Sequence, residues 1–205
     1  MKQVVDALRA LCEWGVDRRD EASPGFQRIL DRVDWSGPRN PPLPVAGHPV
    51  IDEWLEDAVA LCGDNPLGDL GRAIYASRDN LAWFSMYGEY AGFEEIDRLR
   101  AGYAVLRLTG PVAEWFADDL TTAVTLQAPN LYYPAHAHRQ NEIYGVIGGV
   151  ADWQRGAEPW VARQSGEAFF HPSGVRHATQ THEEPVLAFA SWLDSVHIKP
   201  VFVTG

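Results

Sequence analysis

The chain has 205 residues, 46% of them apolar, and a formal net charge of −11. That length suits one domain or one domain with a helical extension, and the apolar content supports a sizeable core rather than global disorder. The acidic balance excludes nucleic acid and a polybasic membrane contact as partners. With no cleavage signal at the N-terminus and no run of ~20 apolar residues, the sequence predicts a cytoplasmic protein without a membrane span.

Val4, Val5, Leu8, Leu11, Cys12 and Val16 recur at helical spacing and predict a helix over 3–16 with one buried stripe. Ser23-Pro24 reads as a helix start, Ser as N-cap and Pro at the first position, followed by Phe26, Ile29, Leu30 and Val33. Residues 37–44 form a proline-rich connector that cannot be helical. Ile51, Trp54, Leu55, Ala58, Val59 and Cys62 make a third stripe closed by Gly63, and a fourth helix is predicted over 67–76. The two cysteines, Cys12 and Cys62, fall in these stripes and read as reduced core residues, not a disulfide framework. Aromatics crowd residues 83–93 at helical spacing and read as packing. Residues 1–100 are therefore expected to be a helical region without identifiable chemistry.

Beyond Gly102 the pattern changes. Short β-prone runs at 103–108, 121–126, 142–147, 151–154, 159–162, 168–170 and 186–192 are separated by turn residues such as Gly148-Gly149 and Ser165-Gly166. Many short strands at this spacing predict a closed or double-sheet β structure over 101–205.

The chemistry concentrates between Tyr132 and His177. Alternate residues of a strand project from one face, so His136 and His138 can meet one ion, and on a continuing strand Glu142 and Tyr144 return to that face. His177 follows a turn signal, Pro172-Ser173-Gly174, that opens another strand. Three imidazoles and a carboxylate make a ligand set for one divalent transition metal, Fe, Mn, Ni or Zn, with no choice among them from ligand type. Tyr132 and Tyr133 point in opposite directions, so at most one faces the site. His171 precedes a proline at a turn and reads as structural or supporting rather than ligating. His182, beside Glu183 and Glu184, reads as a solvated loop residue, and His48 and His197 carry no pattern.

The spacing His136-x-His138-x3-Glu142-x6-Gly149 resembles the first motif of the cupin superfamily, and Gly166-x5-Pro172-x-Gly174-x2-His177 resembles the second. The position four after the last His, often Asn in cupins, is Thr181 here. Leu126-Gln127-Ala128-Pro129, Tyr133-Pro134-Ala135-His136, Glu142-Ile143-Tyr144, His171-Pro172-Ser173-Gly174 and Ser191-Trp192 are similar to the dimethylsulfoniopropionate (DMSP) lyase cupins over roughly residues 100 to 195. The resemblance implies a mainly β cupin barrel (a double-stranded β-helix or jelly roll) with an N-terminal α-helical extension. It implies metal ligation by His136, His138, Glu142 and His177, a base at Tyr144, and a substrate pocket walled by Tyr133 and Trp192.

The implied reaction is β-elimination of a small carboxylate, DMSP, to dimethyl sulfide and acrylate. A cation polarises the carboxylate, a phenolate favoured by that cation removes the α-proton, and aromatic faces hold the sulfonium. The rival for Tyr144 is a core tyrosine that hydrogen-bonds a ligand, and for Trp192 a core aromatic. Two other functions share the ligands: a cupin dioxygenase or isomerase acting on another small carboxylate, and a non-catalytic small-molecule-binding cupin. Tyr144 separates them, because a dioxygenase needs open iron positions and no such base. Exposed aromatics and cupin habit admit a homodimer.

Overall fold

The structure is a computed structural model describing residues 1–194 and 201–202. His197 lies outside the described residues. In chain order come α1 (Lys2–Asp17), α2 (Ser23–Arg32), α3 (Pro49–Ala60), α4 (Pro66–Ser77), β1 (Trp83–Phe84), α5 (Glu94–Gly102), β2 (Tyr103–Thr109), β3 (Leu120–Gln127), β4 (Tyr132–Ala137) and β5 (Asn141–Gly148). They are followed by β6 (Val150–Arg155), β7 (Val161–Gln164), β8 (Ala168–His171), β9 (His177–Thr181), β10 (Val186–Leu193) and β11 (Val201–Phe202).

Two sheets form, ordered β1-β2-β3-β10-β5-β8 and β11-β4-β9-β6-β7, with antiparallel pairing throughout. The expected double-sheet β structure with N-terminal helices is present. The helices start where sequence chemistry favours it: His48 Nδ1 accepts from the Val50 N–H ahead of α3, Asn65 Oδ1 accepts from the Gly68 N–H ahead of α4, and each has Pro in its first turn. Ser23 is instead the first residue of α2 and makes no cap; its hydroxyl donates to the Gly15 carbonyl, tying α2 to α1.

Strand alternation divides the six-stranded sheet between two environments. On β10, Leu187, Phe189 and Leu193 join the core formed with the helices, where Phe26 stacks on Phe189 at 5.9 Å. Ala188, Ala190 and Trp192 face the barrel interior with Tyr144, Trp153 and Phe169. One face of the sheet is thus covered by helices, and the other walls the cavity. Each large side chain buried on the helix side stabilises the fold by about 1.5–3 kcal/mol.

Residues 83–93 depart from the helical expectation. Trp83 and Phe84 pair with Leu106 and Val105 of β2, Tyr87 takes a left-handed conformation (φ 65°), and Gly88–Tyr90 is a single 3-10 turn. Gly88 and Gly92 weaken any helix there, and an available sheet edge captures Trp83 instead. The helix α5 carries only Ile96 and Leu99 as buried residues, too few to show as a stripe in the sequence.

Candidate metal centre

His136 and His138 approach the interior from the β4 side, His138 lying just beyond the last residue of the strand. The chain then turns at 138–140, so Glu142 is not on a continuation of that strand as the spacing suggested. It lies on β5, in the opposite sheet, and the site is assembled across the barrel. The physical reason is the polar Arg139-Gln140-Asn141 segment, which reverses the chain. Two turns are stitched together there. The Gly174 N–H donates to the His138 carbonyl at 2.7 Å, the Ser173 hydroxyl donates to the Arg139 carbonyl at 2.6 Å, and the Ser173 N–H donates to Asn141 Oδ1 at 3.0 Å. This places His177, the first residue of β9, beside His136 and His138.

The ligand atoms of His136, His138 and His177 lie within 4.8 Å of one another, and so do those of Glu142, His171 and His177. All five side chains are buried. Three Nδ1 atoms face backbone carbonyls: His136 to Pro134 at 3.0 Å, His138 to Gln140 at 3.2 Å, and His177 to Val175 at 3.0 Å. A carbonyl only accepts, so each Nδ1 carries the proton and each Nε2 keeps a lone pair, the tautomer a metal ligand requires.

The Nε2 atoms of His138 and His177 stand 3.0 and 3.2 Å from Glu142 Oε2. Lone pairs facing a carboxylate call for a cation between them. Glu142 Oε1 and His177 Nε2 are buried without hydrogen-bond partners among the described residues, which also fits a divalent ion. Burial alone would raise the Glu142 pKa, but the His138 and His177 imidazoles outweigh it and hold the carboxyl well below its usual range. Burial likewise opposes charge on His138, yet Glu142 shifts its pKa up. His136 is driven well below its ordinary value by burial and then by His177, and His171 down to about 3 by the same two causes.

Tyr144 sits two residues beyond Glu142 on the same inward row, 3% exposed, its ring 4.7 Å from Trp153, 5.7 Å from Phe169 and 5.5 Å from His171. Burial and then the Glu142 charge push its phenol well above the usual tyrosine value. Tyr133 stacks on His136 at 4.4 Å, whereas Tyr132 turns away toward Trp160. Trp192 stands opposite Glu142 in the β10–β5 register and packs between the Tyr144 and Tyr133 groups. Thr181 anchors the turn before β4, its hydroxyl accepting from the Leu131 N–H and donating to the Ala128 carbonyl. His48 caps α3 and hydrogen-bonds Ser85, and exposed His182 pairs with Asp152 at 2.9 Å.

The structure adds residues that sequence reasoning did not place here. The Tyr87 hydroxyl hydrogen-bonds that of Tyr133, and Tyr103 packs 5.1 Å from Tyr133. No periodic signal marks Tyr87. His171 had one, the alternation Phe169-x-His171, which puts both on the inner face of β8 opposite Tyr144 and Glu142.

Residues 27–188 match the family described as dimethylsulfoniopropionate lyase. The chain is 30% identical over 199 residues to the dimethylsulfoniopropionate lyase DddQ of Ruegeria pomeroyi, covering 88% of this chain and 95% of that protein. The crystal structure of DMSP lyase DddQ from Ruegeria pomeroyi DSS-3 aligns with a TM-score of 0.72 at 26% identity, over 97% of this chain and 96% of that one. A chain from the crystal structures of the DMSP lyases RdDddP and RnDddQII aligns with a TM-score of 0.76 at 23% identity, over 98% and 96%. The helices are therefore part of the likeness as well as the barrel, and the chain belongs to the dimethylsulfoniopropionate lyase family.

Proposed function

We propose that this chain is a metal-dependent carbon–sulfur lyase that cleaves DMSP to dimethyl sulfide and acrylate, with Tyr144 as the base. His136, His138, Glu142 and His177 would hold one divalent transition metal, Fe, Mn, Ni or Zn. The observation that carries the reading is Tyr144, a buried phenol on the same row as Glu142 inside a chain of this family. Bound there, the ion supplies a Lewis acid for the substrate carboxylate and makes the α-proton more acidic.

The chain's own residues do the rest. Tyr144 stays protonated while the Glu142 charge is unbalanced, and accepts the α-proton once positive charge nearby favours the phenolate. The C–H electron pair becomes the Cα=Cβ bond, and the Cβ–S pair leaves on sulfur as neutral dimethyl sulfide. Tyr133 and Trp192 offer aromatic faces to the sulfonium, each contact worth about 0.5–2 kcal/mol. Tyr133 is buried and Trp192 half-buried, which limits the water that reaches the forming carbanion. We place the reaction in the cytoplasm, where the free thiols Cys12 and Cys62 stay reduced.

The test is headspace detection of dimethyl sulfide from purified protein loaded separately with each of the four metals. Tyr144→Phe is expected to lower release by at least about 100-fold with metal content unchanged. Absence of release from folded, metallated wild type with every metal would overturn the lyase reading and favour another small carboxylate as substrate.

A further inference from the structure

His171 closes β8 directly opposite Glu142 in the β5–β8 register, and its Nδ1 stands 4.0 Å from Glu142 Oε2. The side chain is 2% exposed, and Nδ1 is buried with no hydrogen-bond partner among the described residues. An imidazole nitrogen left so is destabilising, which points to a ligand that satisfies it. The other three imidazoles differ: their Nδ1 atoms are committed to backbone carbonyls. His171 turns Nδ1 itself toward the cluster, and at 4.0 Å that group is not spent on Glu142.

The same residue also lines a narrow cleft with Trp153, Arg155, Glu158, Arg163 and Phe169, of about 20 Å³, room for about one water. The Arg163 guanidinium lies 5.0 Å over Phe169, and Arg155 donates to the Phe170 carbonyl. Arg155 pairs with Glu21 and with Glu158, which also lines the cleft, and Arg163 pairs with Glu167, so these charges are balanced and the carboxylate contact rests on the His171 nitrogen. The aromatic wall of Tyr133 and Trp192 suits the positive end of a zwitterion.

We propose that His171 binds the substrate carboxylate, its Nδ1–H donating to the oxygen that faces β8 and so orienting the α-carbon toward Tyr144. The identity of the substrate rests on the lyase reading; the carboxylate contact does not. Negative charge grows on that oxygen as the α-proton leaves, so a donor fixed there strengthens in the transition state.

The experiment titrates propionate, a carboxylate without a leaving group, into metal-loaded wild type, His171→Leu, His171→Asn and His171→Gln by calorimetry, with metal content measured in each. Asn carries an amide where Nδ1 stands, Gln places one nearer Nε2, and Leu has the shape of Asn without a donor. Leu is expected to weaken propionate binding at least about tenfold, Asn to stay within about threefold of wild type, and metal content to remain equal in all. With DMSP, Leu should lower kcat as well as raise KM, and Asn should restore both. If Leu does not fold, tight binding in Asn with weak binding in Gln carries the proposal.

Unchanged propionate affinity in Leu, equal affinities in Asn and Gln, or no propionate binding by wild type would overturn it. Loss of metal from Leu would also overturn it, by making His171 a ligand. A wild type that binds propionate but releases no dimethyl sulfide fails the lyase reading and leaves the His171 result standing.

Discussion

Tyr87 and Tyr133 meet hydroxyl to hydroxyl beside His136, and both are nearly inaccessible to water. Burial pushes both phenols up, so the pair is a neutral hydrogen bond in which each group satisfies the other. Removing one hydroxyl strands its partner. Tyr87→Phe is therefore expected to destabilise the protein by about 1–3 kcal/mol in urea unfolding with metal content unchanged. An unchanged midpoint would mean that Tyr133 finds another partner. The residue matters for the site because the Tyr133 ring stacks on His136, so a shift of Tyr133 moves a candidate metal ligand. Tyr144 and His171 belong to this scale too. One is the proposed base, whose phenol is held protonated by burial and by Glu142, the other an imidazole whose Nδ1 has no hydrogen-bond partner among the described residues.

Elements fit together here through close backbone approach. A Cβ at Gly148, the end of β5, would stand 2.1 Å from the Ala58 carbonyl oxygen of α3. Backbone cannot yield as a flexible side chain does, so Gly148→Ala must push α3 away from the sheet. The expected cost is about 1–3 kcal/mol, read as a lower denaturation midpoint. Because β5 also carries Glu142 and Tyr144, the same variant is a sensitive probe of how far the helical layer sets the site. The helix and strand stripes were legible in the sequence because each is a local periodicity of apolar residues. The β5–β8 register was not legible, since it joins residues 29 positions apart such as Glu142 and His171, and nothing in either segment alone specifies it.

At the scale of the whole molecule, helices and barrel share one core. Leu106, Leu108, Val124, Leu126, Ile143, Ile147, Leu187, Phe189 and Leu193 of the sheet pack with residues of α1 to α4. A chain beginning at residue 101 would expose this face, an apolar surface larger than soluble monomers carry. Such a fragment is expected to aggregate or to lack cooperative unfolding in calorimetry, and a soluble, cooperatively melting fragment would show that 101–205 folds alone. Among the described residues no helix is long and apolar enough to cross a membrane.

The residue order alone singled out the ligand candidates and the double-sheet fold through short-range chemistry, alternation on strands, turn residues and motif spacing, while Tyr144 as the expected base came from the family resemblance. Tertiary structure decided that Glu142 reaches His138 from the opposite sheet, that Tyr87 leaves the helical region to meet Tyr133, and that His171 faces the site with an Nδ1 that has no hydrogen-bond partner among the described residues. The physical reason is the same in each case. These placements follow from strand pairing and core packing between distant segments, whose free energy exists only once the chain has closed on itself.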